Sequence, residues 1–249
     1  MKITIIHGSP RKGNTYAAIQ RLKNEMAAHG AVTFTEFFLP QDLPAFCKGC
    51  FLCLSEDEKR CPHAQYTLPI ADAMLDADGL IFTTPVYVLQ ATGAVKAFLD
   101  HFSWLFIVHR ARPAMFGKKA LVLSTTAGAG AKAAIKTITT SLKFWGVNKI
   151  YTAGFAMRAG DWETVQPKRR AAFERKLKKL AGRFFTDIAS GKRCWPYLLI
   201  NLMFYFRRSM LKKEAAAQGS GPVSADLAYW QAHGWFDKNP LTLGIRRKK

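Results

Sequence analysis

Apolar and polar positions along this chain follow two periods. Short apolar runs at Lys2 to Ile6, Val32 to Phe38, Gly79 to Thr83, Lys119 to Ser124 and Lys149 to Phe155 read as buried strands. Between them, and after the last, lie segments with helical spacing. In the first, Ile19, Leu22 and Met26 share a face; in the third, Val95, Phe98, Leu99 and Phe102 do so. Farther on, Phe173, Leu177, Leu180, Phe184 and Ile188 form an apolar stripe, while Lys168, Arg169, Arg170, Lys178 and Lys179 largely point elsewhere. Strand followed by helix, five times over, predicts an α/β fold: a doubly wound, five-stranded parallel sheet covered on both faces, with any ligand at the carboxyl ends of the strands. No internal repeat is present.

The stretch GSPRKGNT, Gly8 to Thr15, falls between the first strand and the first helix. Gly8 and Gly13 let the backbone turn tightly, and the start of the following helix favours an anion. Ser9, Asn14 and Thr15 add neutral donors, and Arg11 and Lys12 add charge. Asn14 stands where a nucleoside triphosphatase loop carries its lysine, so only Thr15 fits a triphosphate scheme. A phosphate monoester needs neither that lysine nor a metal. The bland alternative is a glycine turn with an Asn cap.

A second stretch, TTPVYVLQATGAVKAFLDH from Thr83 to His101, runs from the end of the third strand into a helix. Together the two motifs resemble those of the flavodoxin-like NAD(P)H-dependent FMN reductases and iron-sulfur flavoproteins, over roughly Met1 to Ser190. The resemblance implies a flavodoxin-like sheet, FMN as cofactor and NAD(P)H as electron donor. It implies that Ser9, Arg11, Lys12, Gly13, Asn14 and Thr15 hold the FMN phosphate, and that Pro85, Val86, Tyr87 and Val88 line the isoalloxazine ring. A third flavin segment is expected in STTAGAG, with Thr125, Thr126 and Gly128 at the pyrimidine edge. His101 replaces the arginine usual at that helix end. No catalytic acid, base or nucleophile is nominated, because the flavin carries the redox chemistry.

Four of the five cysteines are clustered: Cys47, Cys50 and Cys53 are spaced three apart, and Cys61 follows directly before Pro62. This pattern is close to the thiolate runs that ligate cubane clusters, and it is similar to the compact motif of iron-sulfur flavoproteins. A [4Fe-4S] cluster on these four residues, a zinc ion, and a cysteine-bearing loop packed near the flavin or a subunit contact all stay open. Cys194, beside Trp195, is expected to be buried.

The expected organisation is a flavin-binding unit over 1–190, with its cysteine-rich loop at 44–62, and a mostly helical extension over 191–249. In the extension an apolar block from Trp195 to Phe206 ends in basic residues and is too short to span a bilayer. Packing on a partner subunit or over the flavin is the preferred reading, and peripheral contact with an anionic membrane is the alternative. Ala215 to Ser224 has a linker's composition, and the aromatics from Tyr229 to Asp237 are placed to cap the domain or an active site.

Net charge is +20, and +13 of it falls after Ala156, where 20 Lys and Arg face 7 Asp and Glu. Such a balance favours anionic partners, but no nucleic-acid motif accompanies it, and no nucleic-acid partner is expected. The apolar start is too short for a signal peptide, so a cytoplasmic protein is expected. The leading function is an FMN-dependent oxidoreductase that takes hydride from NAD(P)H and reduces a small acceptor such as a quinone, enone, nitro compound or flavin. The alternative is an iron-sulfur flavoprotein carrying electrons between redox proteins. A homo-oligomer is expected in either case.

Overall fold

Five strands, β1 (Lys2–His7), β2 (Thr33–Phe38), β3 (Gly79–Pro85), β4 (Lys119–Thr126) and β5 (Lys149–Ala156), form one sheet in the order β2-β1-β3-β4-β5. Every pairing is parallel. This is the flavodoxin-like arrangement, in which strand order reverses between β1 and β3 and opens a crevice at their carboxyl ends. The computed structural model describes residues 1–218, 222–243 and 245. Strands β3 and β4 run two residues beyond the expected ends, because the ladder continues through Thr84 with Ser124 and Pro85 with Thr125. Those polar positions carry no apolar signal, yet Thr84 and Ser124 are buried.

Helices α1 (Asn14–Ala27), α3 (Ala64–Asp76), α4 (Gly93–His101), α5 (Ala131–Phe144) and α6 (Pro167–Ala189) cover the sheet, and the four-residue α2 (Leu52–Ser55) sits within the cysteine loop. One core joins Ile19, Leu22 and Met26 of α1 to Leu177, Phe184 and Ile188 of α6 beneath Ile3, Ile5 and Leu121. The opposite core gathers Phe82, Phe98, Phe102, Trp104 and Trp145. All three apolar faces read from the sequence therefore turn to the sheet.

The extension forms α7 (Leu198–Ala217) and α8 (Ala225–Ala232). Ala215, Ala216 and Ala217, expected in a linker, continue α7; the linker's Gly219, Ser220 and Gly221 lie outside the described residues. Of the two expected places for the aromatics after α7, they cap the domain and not the cleft. Trp230 and Trp235 are buried with Phe204 in the second core, and Trp230 stacks on Phe204 at 4.9 Å between ring centroids. Cys194 is half-buried instead of buried, because neighbouring Trp195 turns outward. Helix α7 buries only Ile200, Phe204 and Leu211, leaving Leu198, Leu199, Leu202 and Phe206 exposed. Among the described residues no helix is long and apolar enough to cross a membrane.

Candidate functional site

Three β-to-α loops are tied together at the carboxyl edge of the sheet. Gly8 N donates to Thr83 O at 2.8 Å, and a Cβ on Gly8 would lie 2.4 Å from Val95 Cγ2 and 2.5 Å from Thr83 O. Only glycine fits so close a crossing. Thr92 caps α4 by accepting from Val95 N, and its hydroxyl donates to Gly8 O at 2.6 Å. Thr15 and Thr125 share a hydrogen bond of 2.6 Å between their hydroxyls, and Val86 N donates to Thr125 O at 2.9 Å.

The loops enclose a cleft lined by Ser9, Arg11, Gly13, Asn14, Thr15, Pro85, Val86, Tyr87, Thr125 and Thr126. All ten are residues singled out from the sequence. Lys12, Val88 and Gly128 do not line it. The Lys12 ammonium sits 5.5 Å from the centre of the Tyr16 ring, Val88 is 96% exposed, and the Gly128 amide donates to Thr126 Oγ1 at 3.2 Å. Ala127, within the expected third segment, also lines the cleft, while sequence reasoning missed Met157, Ala159 and Gly160. These three follow β5, whose carboxyl end must open on the same crevice, and that rule alone pointed to them.

Asn14 behaves differently from the free donor read in the sequence. Its Nδ2 donates to Gly160 O at 3.2 Å, which fastens the loop after β5 across the first loop. Its Oδ1 is buried without a partner and offers an acceptor to the cleft. A phosphate oxygen cannot satisfy such an atom, whereas a hydroxyl can. Thr15 can accept from Thr125 and still donate its own proton into the cleft. Thr126 is spent within its loop, donating to Ala129 O.

One wall is strained. Tyr87 and Gln90 pair across a tight turn whose central residues, Val88 and Leu89, have φ of 47° and 63°. Positive φ at a β-branched residue is costly and persists only where surroundings enforce it. The loop after β4 does so: Gly130, at φ 91°, approaches Leu89 so closely that a Cβ would lie 2.7 Å from the Leu89 Cα.

His7 is part of the frame. It is buried, stacks on Phe38 at 4.3 Å between ring centroids, and bonds Glu36 Oε2 at 2.8 Å. Burial holds its pKa below the ordinary value despite the Glu36 carboxylate. It thus locks β1 to β2 and takes no place in the cleft.

None of the four clustered cysteines lines the cleft. Cys47 and Cys50 are exposed, Cys53 and Cys61 half-buried, and burial pushes both latter thiols up, with further rises from the other thiols of the group. Buried Arg110 anchors the cysteine loop from below, with Nη1 donating to Leu54 O at 2.9 Å and Nη2 to Cys53 O. Its guanidinium in turn donates to Asp226 of α8 at 3.1 Å, so the extension supports the loop.

Comparison with known proteins settles the family. Residues 1–160 match the family model described as NADPH-dependent FMN reductase. The chain belongs to that family. An iron-sulfur flavoprotein of Methanocaldococcus jannaschii is 31% identical over 129 residues, which cover 51% of this chain and 65% of the relative. An iron-sulfur flavoprotein of Archaeoglobus fulgidus is 30% identical over 100 residues, covering 40% of this chain and 48% of the relative. The matched region thus spans between about half and two thirds of these relatives' length. The family fold extends to solved structures: an azoreductase from Bacillus anthracis superposes with a TM-score of 0.57 at 15% identity, covering 74% of this chain and 100% of that one.

Proposed function

We propose that the chain binds FMN in the cleft, takes hydride from NAD(P)H and reduces a small acceptor such as a quinone, an enone, a nitro compound or free flavin. The observation that carries this reading is the convergence of the loops after β1, β3, β4 and β5 on one cleft with a cationic mouth and an apolar wall. Ser9, Arg11, the Gly13 amide and Thr15 hold the phosphate, with Lys12 contributing charge from outside. Asn14 Oδ1 accepts from a hydroxyl of the ribityl chain, which gives the orphaned atom its partner. Pro85, Val86 and Tyr87 support the ring, with Val88 at the tip of their turn, and Thr125, Thr126 and Gly128 shape the loop at its pyrimidine edge. Once bound, the flavin supplies hydride acceptance and transfer of electrons singly or in pairs. The chain's own task is to orient donor and acceptor and to exclude water, and it needs no acid or base for this.

In this proposal residues 1–190 form the flavin-binding unit and 191–249 an extension that braces the cysteine loop through Asp226. The exposed apolar face of α7 suits a homo-oligomer contact, and the protein works in the cytoplasm. A second reading adds a [4Fe-4S] cluster on Cys47, Cys50, Cys53 and Cys61, making the chain a carrier between redox proteins. The spacing of the four cysteines and the names of the two archaeal relatives favour it.

Titrating the purified chain with FMN, then adding NADPH or NADH and a quinone without oxygen, tests the proposal. Stoichiometric FMN uptake followed by nucleotide oxidation that depends on both flavin and quinone is expected. A folded chain that takes up FMN but never oxidises either nucleotide would shift the weight to the electron-carrier reading.

A further inference from the structure

Cys61, His63 and His101 offer ligand atoms that all lie within 4.8 Å of one another. The flavin reading uses none of the three, and the four-cysteine reading uses only Cys61. We infer that these three residues bind a single divalent transition-metal ion of the zinc class, with a fourth position facing the exposed loop that carries Cys47 and Cys50.

The geometry is close to that of a metal tripod. Zinc binds nitrogen at about 2.0–2.1 Å and sulfur at about 2.3 Å, so tetrahedral ligand atoms stand about 3.3–3.8 Å apart. His63 Nδ1 and His101 Nε2 are 2.9 Å apart and share a proton, so an ion replacing that proton must spread them by only a few tenths of an ångström. The sulfur closes in by about 1.3 Å at most, within reach of a side-chain rotation.

The outer contacts point the same way. His101 is buried at the end of α4, and its Nδ1 lies 2.8 Å from Ala97 O. A carbonyl only accepts, so Nδ1 carries the proton and the Nε2 lone pair is aimed at His63. A ligating histidine is usually oriented in this way, by a backbone carbonyl on its other nitrogen. Pro62, between Cys61 and His63, holds sulfur and imidazole on one turn, just before α3. On binding, the shared proton moves to the outer nitrogen of His63, the Cys61 thiol releases its own proton, and the ion takes up the freed lone pairs. Cysteine and imidazole together suit zinc, whereas an all-thiolate set suits an iron-sulfur cluster. The two uses of Cys61 exclude each other.

Cobalt(II) is the probe, added without oxygen to the reduced, iron-free full-length chain, with zinc as competitor. Expected are one cobalt per chain, a thiolate-to-cobalt charge-transfer band, and displacement by one zinc. Cys61→Ser should remove the band, and His63→Ala, at a partly exposed position, should weaken binding at least tenfold without unfolding the chain. His101→Ala should do the same, with its circular dichroism checked against the parent. The double variant Cys47→Ser, Cys50→Ser should keep one cobalt per chain. Binding that survives both histidine changes but is lost in the double variant would overturn the inference, as would an absence of cobalt and zinc binding by the folded parent. Neither result bears on FMN uptake, so the flavin reading stands or falls separately.

Discussion

The hydroxyls of Thr15, at the start of α1, and Thr125, at the end of β4, lie 2.6 Å apart in a buried hydrogen bond that crosses 110 residues of sequence. It joins the two loops that face each other across the cleft. Thr125→Val keeps the shape but leaves a buried hydroxyl on Thr15 unpaired, which costs about 1–3 kcal/mol. A double-mutant cycle with Thr15→Val by urea unfolding should return a coupling of at least about 0.5 kcal/mol. Additive effects would mean that the pair does not hold the loops together.

Arg11 is the exposed cation at the mouth of the cleft. Arg11→Ala is expected to weaken FMN binding by roughly 1.5–3 kcal/mol, the worth of a hydrogen bond to a charged group, with little change in melting temperature. Fluorescence titration measures it. Riboflavin, which lacks the phosphate, should bind parent and variant alike.

Gly8→Ala tests the crossing of β1, β3 and α4. The new methyl would meet a backbone oxygen and the Val95 side chain, and overpacking of this kind costs about 1–3 kcal/mol. Lower stability together with weaker FMN uptake is expected. An alanine variant as stable as the parent would show that the crossing has slack.

The sheet was legible because its strands are continuous apolar runs and each alternates with an amphipathic helix; all five strands lie where the pattern puts them. The cleft was legible in part. Gly8 to Thr15 and Pro85 to Tyr87 carry motifs, but Met157, Ala159 and Gly160 carry none and enter only through topology. Asn14 read as a donor because the sequence cannot reveal that Gly160 O, 146 residues away, engages its amide. The aromatics of the extension were legible only as capping groups: composition marks Trp230 and Trp235 as contact-forming, while only the fold reveals that they cap the main core, through Phe204, and not the cleft.

Asp226 links α8 to His109, Arg110 and Arg207. Burial by itself would raise its pKa, but the hydrogen bonds and charges of His109 and Arg207 outweigh this and hold the carboxyl below the ordinary value of 3.8. A depressed carboxylate contributes stability that is complete above its unfolded value and is lost as pH falls through the folded one. The extension should therefore loosen in acid below pH 3.8, seen as a rise in tryptophan exposure. Asp226→Ala should remove that step and cost about 3–5 kcal/mol at neutral pH, because it strands buried Arg110. An unchanged acid transition in this variant would assign the step to another group.

Anaerobic rapid mixing of NADPH with the FMN-loaded chain, followed through the visible flavin absorption, shows whether the cleft is a flavin redox site. One FMN per chain, bleaching of that absorption by NADPH or NADH, and its return on adding a quinone are expected, with FMN uptake reduced in Arg11→Ala. A correctly folded chain that takes up no FMN, and whose nucleotide turnover is indifferent to added flavin, would contradict the flavin reading.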